Sequence, residues 1–126
     1  MEITDKSTKD RVLERATEVG RLVSQLPEFR RLKQAHQDIG EDREATERIN
    51  QMRQLQTEML QEMERGEEPS EQSRRRLETL SEELQTNTRY QALIAAQANF
   101  DRLMERIQES IGLGIRAGEE SRIVIP

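Results

Sequence analysis

The sequence predicts an all-α protein, built as an antiparallel helical hairpin or bundle of about five helices that assembles into an oligomer. Three observations support this prediction. Ala, Glu, Lys, Leu and Arg make up nearly half of the 126 residues, a composition typical of long helices. Aromatic residues account for only 2%, which disfavours a β-sandwich core or a large aromatic pocket. Apolar residues recur at spacings of three and four, as one face of an α-helix requires.

Pro27 separates the first two predicted helices. Apolar residues from Val12 to Leu26 follow a 4-3-4-3 spacing and therefore share one stripe of helix one. Proline cannot donate a hydrogen bond to the preceding turn, but it suits the first position of a new helix. Helix two then runs to Ile39, where Gly40 offers a left-handed stop. A single helix kinked at Pro27 is the alternative.

Helices three and four are predicted to form a hairpin. Asp42 can cap helix three, whose apolar residues recur until Gly66. The segment Gly66–Ser70 combines a helix terminator, a proline and an N-cap serine, so it is a tight helix–helix connection that makes its neighbours antiparallel. One face of helix four carries Leu77, Leu80 and Leu84.

Helix five is predicted to begin at Thr88, because Thr88 and Gln91 have the spacing of a capping box. It holds the richest apolar surface of the chain, and its alanines allow another helix to approach closely. After Ile111, three glycines and a terminal Ile-Val-Ile-Pro predict that the helix ends in a loose tail able to dock as an extended strand. We therefore predict a helical domain over residues 1–111 and a flexible C-terminal tail over residues 112–126.

Charge and residue usage exclude several classes of function. The net charge of −5 arises from 25 acidic and 20 basic residues, which disfavours direct nucleic-acid binding. The chain has no cysteine, so disulfides, thiolate nucleophiles and Cys-ligated metals are excluded. No stretch approaches the roughly 18 apolar residues of a membrane span, and the polar start is unlike a signal peptide. We expect a cytoplasmic protein with no membrane association.

The residues offer little for catalysis. His36 is the single histidine, and the serines lie in caps or polar helical positions without an identifiable base. One histidine and scattered carboxylates do not make a metal site, and the glycines after Ile111 match no nucleotide-binding motif. We therefore predict that the protein is not an enzyme and needs no metal or cofactor, with His36 a structural or exposed helical residue.

Apolar side chains beyond the needs of a monomer are the first candidates for function. Leu, Ile, Val and Phe form only about a fifth of the chain, so a small domain has difficulty burying enough area alone and gains from another subunit. The predicted interface residues are Met52, Met59, Met63, Phe100, Leu103, Met104, Ile107 and Ile111. For the methionines, filling of an irregular core is the alternative. Which apolar face closes the monomer is left open.

Three arginines near the start of helix four are the second candidate. Arg74, Arg75 and Arg76 oppose the positive end of the helix dipole, which costs a few tenths of a kcal/mol each. Glu71 and Glu78 stand four residues from Arg75 and Arg74, so surface pairs can offset part of this cost. Two interpretations follow: a solvated salt-bridged face, or a docking site for an acidic partner or RNA.

Several sequence segments follow one another in an order and at a spacing that are characteristic of one protein family. After the early helix come LPEFRRLKQA from Leu26 to Ala35, a long Gln/Glu-rich helix, GEEPSEQ from Gly66 to Gln72, the register L..L...L..N from Leu77 to Asn87, and YQALIAAQANFDRLMERIQESI from Tyr90 to Ile111. Over roughly residues 11–112 the chain thereby resembles the YlbF/YmcA-like family of small helical bacterial regulators.

The resemblance implies an all-helical, non-enzymatic protein whose relatives form homo- or hetero-oligomers with related helical proteins. Some relatives act in a complex that directs an endoribonuclease in mRNA processing, and so influence competence, sporulation and biofilm formation. The iron–sulfur clusters associated with some relatives are not carried over, since this chain has no cysteine. We predict a regulatory or adaptor protein that acts through helical interfaces, with a ribonuclease complex as a possible partner. The alternative is a structural or chaperone-like accessory protein that binds a client.

Overall fold

A computed structural model of the chain describes the backbone of residues 7–124 and the side chains of residues 7–120. This part of the chain is folded into five α-helices and contains no strand. The helices are α1 (Thr8–Val23), α2 (Pro27–Gly40), α3 (Arg43–Glu64), α4 (Glu71–Gln85) and α5 (Thr88–Val124). The predicted all-α class and the number of helices are confirmed.

The helices form two antiparallel pairs. In the first pair, α2 packs along the first half of α5, and the ring centroids of Phe29 and Phe100 lie 6.0 Å apart. Between these helices, the buried residues Leu32, Ala35 and Ala96 form one core cluster. In the second pair α3 packs along α4, with an ion pair of 3.1 Å between Arg48 and Glu83 on its outer side.

The two pairs meet at a vertex, where α2 ends and both α3 and α5 begin. Three buried residues form the second core cluster there: Ile39, Ala45 and Leu84. Partly buried apolar side chains surround them, namely Ile49, Met52, Tyr90 and Leu93. The hydroxyl of Thr46 lies within hydrogen-bond distance of two carbonyl oxygens, that of Asp42 at 2.9 Å and that of Ile39 at 3.2 Å, in the turn between α2 and α3.

A polar clasp joins the first turns of α3 and α5 at this vertex. Asp42 Oδ1 accepts a hydrogen bond from the backbone N–H of Ala45 at 3.1 Å, and Asp42 Oδ2 accepts one from Asn87 Nδ2 at 2.8 Å. Asn87 Oδ1 in turn accepts from the backbone N–H of Tyr90 at 2.9 Å. The hydrogen bond from Asn87, and then that from Ala45, lowers the pKa of Asp42 below its ordinary value.

The predicted caps are confirmed at two helix starts and shifted at a third. Asp42 caps α3, and Ser70 caps α4 by accepting from the backbone N–H of Ser73 at 3.1 Å. α5 begins at Thr88 as predicted, but its cap is Asn87 and not Thr88, because Asn87 Oδ1 accepts from the backbone N–H of Tyr90. Asparagine is an equally good cap, so the composition of the segment could not decide between the two.

The two predicted glycine stops have different outcomes. Gly66 has a φ of +80°, and the N–H of Glu67 bonds back to the carbonyl of Glu62 at 2.9 Å, which is the closing geometry of a Schellman motif. Gly40 was expected to be left-handed, but its φ is not positive. The turn after α2 is closed instead by Glu41 and Asp42, whose N–H groups bond to carbonyls in the last turn of α2.

The prediction that helicity ends at Ile111 is also wrong. α5 continues across the expected boundary at Gly112 as far as Val124, a helix of 37 residues. Each glycine costs about 1 kcal/mol in a helix, but extending an existing helix adds a hydrogen bond with each residue and needs no new nucleus. No proline interrupts the segment before Pro126, which lies outside the described residues.

Candidate functional site

Exposed apolar side chains gather in two places on this framework. The first place, here called the α1/α5 face, brings Val19 of α1 together with Ile107, Ile111 and Leu113 of α5. Val19 and the α5 residues between Leu103 and Leu113 line one shallow depression of about 650 Å³. Ile111 is 58% exposed and Leu22 is 61% exposed, so the two helices cover each other only in part.

α1 itself is the unusual element of this face. None of its 16 residues is buried, although its apolar residues share one stripe as the sequence predicted. Ser7 caps the start of α1: its side-chain oxygen accepts a hydrogen bond from the backbone N–H of Asp10 at 3.1 Å. A helix of this length is marginal in water without tertiary packing. The fold therefore leaves α1 with less packing than a stable helix needs.

The second place is a cavity of about 360 Å³ between α3 and α5, close to the vertex. We call it the α3/α5 cleft. Its main lining residues are Ile49, Met52 and Arg53 of α3 with Tyr90, Ile94 and Gln97 of α5. His36 of α2 and Gln56 of α3 also line it. The cleft is thus lined by both apolar and polar side chains.

The predicted interface residues do not form one surface. Met52 and Phe100 pack against the two core clusters, so much of their area is used within the monomer. Met59 is half-buried in α3, whereas Met63 is 59% exposed. The remaining four lie in the middle of α5, with Leu103, Ile107 and Ile111 lining the depression beside Val19. Met104 is 37% exposed.

The three arginines of α4 make different contacts. Arg75 pairs with Glu71 at 2.7 Å, as the sequence suggested, and both side chains are 77% exposed. Arg76 reaches across to α3 and donates to Gln51 Oε1 at 2.9 Å. Arg74 has no ion pair within the described part of the chain, including Glu78. The cluster is therefore partly engaged in ordinary surface contacts.

Comparison with known proteins identifies the family. A family model described as control of the competence regulator ComK, YlbF/YmcA, matches residues 12–116. The chain belongs to the YlbF/YmcA family. No curated protein and no solved structure matches the chain. The resemblance drawn from the sequence is confirmed, and the YlbF/YmcA match includes both exposed apolar places.

The YlbF/YmcA family is a regulatory family and not a known enzyme family. Within residues 7–120, no three side chains of the His, Cys, Asp or Glu type are grouped so that they could hold a metal ion. None of the helices in the described region is long and apolar enough to cross a membrane. His36 is exposed on α2 and is one of the residues that line the cleft.

Sequence reasoning missed the α3/α5 cleft. The apolar residues of α3, Ile49 and Met52 among them, recur at helical spacing, but Arg53, Tyr90 and Gln97 carry no pattern that marks them as neighbours. They are brought together because the clasp holds the first turns of α3 and α5 side by side. A contact between residues so distant in sequence leaves no signal in a single chain.

Proposed function

We propose that this YlbF/YmcA protein is a non-enzymatic regulatory adaptor that self-associates through the α1/α5 face. The observation that carries the proposal is α1, an amphipathic helix of 16 residues without a single buried residue. A second copy placed on this face by two-fold symmetry would complete a four-helix arrangement and bury both apolar stripes. Burial of apolar area supplies the packing that α1 lacks.

The regulatory part of the proposal is supported by the family description, control of the competence regulator ComK. The resemblance further suggests an endoribonuclease complex as the partner and mRNA processing as the process. An adaptor in such a complex needs surfaces and no reactive centre, which agrees with the few chemically reactive side chains of this chain. We place this activity in the cytoplasm, where competence genes and their transcripts are controlled.

The mass of the protein in solution tests self-association. We expect light scattering at micromolar concentration to give at least twice the 14.7 kDa of one chain. Ile111→Glu should reduce the mass to that of a monomer, because assembly would bury an unpaired carboxylate. Ile111 is 58% exposed in the single chain, so this variant should keep its helical circular dichroism.

Met63→Glu is the matched control, since Met63 is 59% exposed and lies on α3, away from the α1/α5 face. It should leave the mass unchanged. A monomeric wild-type protein, or dissociation by Met63→Glu and not by Ile111→Glu, would refute the proposed face.

The adaptor role is tested by binding of the wild-type protein to purified endoribonuclease and to its accessory subunits. Binding that leaves the helical spectrum intact supports an adaptor. The structural or chaperone-like alternative instead requires the protein to suppress aggregation of an unfolded client, and that result without ribonuclease-complex binding would favour the alternative.

A further inference from the structure

We propose that the α3/α5 cleft is a second binding site, which takes an amphipathic, acidic helix from a partner protein. Aliphatic side chains of that helix would fill the cavity, and a carboxylate would pair with Arg53. The inference rests on the proposed function only in its premise that the protein works by binding other proteins. It does not depend on the α1/α5 face.

The cleft exists because α3 and α5 start together and then separate. The clasp between Asp42 and Asn87 holds their first turns together with a hydrogen bond of 2.8 Å. Farther along, α3 packs on α4 and α5 packs on α2, so the two helices do not cover each other. This leaves the cavity of about 360 Å³ and keeps Ile94, at its edge, 50% exposed.

The α3 side of the cleft continues beyond the cavity and ends in apolar residues. Ile49, Arg53, Gln56, Leu60 and Met63 follow a 4-3-4-3 spacing, which places them on one stripe of the helix. The stripe starts in the cavity and is about 21 Å long at 1.5 Å per residue. Leu60 and Met63, at its far end, are 57% and 59% exposed. A partner helix of about four turns would match this length, as in other helix-in-groove complexes.

The charge of the cleft selects the sign of the partner. The residues that line the cavity include Arg53 and His36 but no carboxylate, although the chain as a whole carries a net charge of −5. Arg53 has no ion pair with any described residue. A guanidinium beside an apolar cavity binds a carboxylate through two parallel hydrogen bonds. Gln97, which also lines the cavity, donates a hydrogen bond to Asp101 Oδ1 at 3.0 Å.

RNA is the less favoured occupant. Binding of a phosphate backbone requires several cations in a row, and single-stranded bases need aromatic platforms for stacking. The cleft offers Arg53, His36 and one aromatic ring, that of Tyr90. Its apolar walls are better suited to aliphatic side chains than to a nucleotide.

Two designed peptides test the proposal against the full-length protein. Both are fluorescein-labelled helices of about 16 residues with leucine at i, i+3, i+4 and i+7; the flanking positions are glutamate in one and lysine in the other. Fluorescence anisotropy should show saturable binding of the glutamate peptide and much weaker binding of the lysine peptide. Arg53→Glu should raise the dissociation constant of the glutamate peptide at least about fivefold. Ile94→Glu should weaken it similarly.

Arg30→Glu is the matched control, because Arg30 is an exposed arginine of α2 without an ion pair in the described residues and does not line the cleft. It should leave peptide binding unchanged. Equal binding of the two peptides, or an equal effect of Arg30→Glu, would overturn the proposal. Competition by a short RNA oligonucleotide would also overturn the proposal, because it would assign the cleft to RNA. A changed oligomeric mass in Arg53→Glu would overturn it as well, because it would assign the cleft to a second copy of this chain.

Ile111→Glu separates this proposal from the proposed function. A monomeric Ile111→Glu variant that still binds the glutamate peptide supports both proposals. Peptide binding by a wild-type protein that is itself monomeric supports the cleft and refutes the self-association face. Loss of peptide binding in Ile111→Glu shows that the peptide occupies the α1/α5 face and overturns the cleft as its site.

Discussion

Replacement of Leu84 by alanine is the sharpest test of how the two helix pairs are held together. Leu84 is 1% exposed and contacts residues of α2, α3 and α5 at the vertex. The substitution removes three carbon atoms, which at about 0.8 kcal/mol each cost about 2.4 kcal/mol of transfer free energy. A residual cavity adds to this cost, so we expect a loss of about 3 kcal/mol.

The expected loss stays at the lower end of the range known for buried leucines, because Leu84 also lines the α3/α5 cleft and the new space can merge with it. Urea unfolding followed by circular dichroism measures the loss, at one fixed protein concentration because self-association adds to stability. Leu60→Ala is the control. Leu60 is 57% exposed, so its truncation should change the free energy of unfolding by less than about 0.5 kcal/mol.

Two results would refute this reasoning. A loss below about 1 kcal/mol in Leu84→Ala would mean that the vertex is not a well-packed core. Two separate unfolding transitions in the wild-type protein would mean that the α2/α5 and α3/α4 pairs unfold independently, and that Leu84 does not couple them.

Three further predictions follow from local structure. The hydrogen bond from Asn87 lowers the pKa of Asp42, so the ionised carboxylate stabilises the fold at pH values above the unfolded pKa of 3.8, and this stability is lost as the pH falls through the lower folded pKa. In Asp42→Ala, the free energy of unfolding measured with urea should therefore depend less on pH between about 5 and 2. The same pH dependence as in the wild-type protein would contradict this prediction. Gly114→Ala should stabilise the protein by up to about 1 kcal/mol, since no atom lies within 4 Å of the added carbon, and a lower urea midpoint would show that α5 is not helical there. Replacement of Arg74–Arg76 with glutamine should change stability by less than about 0.5 kcal/mol, and a loss above about 1 kcal/mol would place these arginines in a buried network.

Features encoded within a few residues could be predicted from the sequence. Asp42, Gly66 and Ser70 mark helix ends through side-chain capping or a positive φ, and each does so in the structure. The spacing placed Leu77, Leu80 and Leu84 on one face of their helix; Leu80 and Leu84 are fully buried, and Leu77 is partly buried. Such features depend on geometry within one helical turn, which the residue types state directly.

Features that depend on competing energies of similar size could not be predicted. Gly112, Gly114 and Gly118 each disfavour a helix, but the helix gains hydrogen bonds over the same segment and the sum favours α5. Thr88 and Asn87 are both good caps, and the choice of Asn87 is linked to its hydrogen bond with Asp42, 45 residues earlier. That bond is a property of the tertiary fold.

The sequence predicted candidate interface residues, but it did not show which of them share a surface. The α5 residues Leu103, Ile107 and Ile111 fall on one exposed face with α1, so their spacing carried the information. Met52 was predicted from the same kind of spacing, but it packs against the buried cluster at the vertex. Amphipathic spacing identifies a face that avoids water, but it does not distinguish a neighbouring helix from a partner subunit.

The sparse core gives a physical reason why this chain should act through its surfaces. Within the described residues, the large side chains that are fully buried are Leu80 and Leu84, and the other core positions are mostly alanines or slightly exposed aliphatic residues. A single chain therefore buries little apolar area for its length, while α1 and the second half of α5 leave apolar side chains exposed. Binding adds to folding stability by mass action, so a partner that covers this area would stabilise the fold as it assembles. In such a protein, the apolar contacts that bind a partner would also stabilise the folded chain.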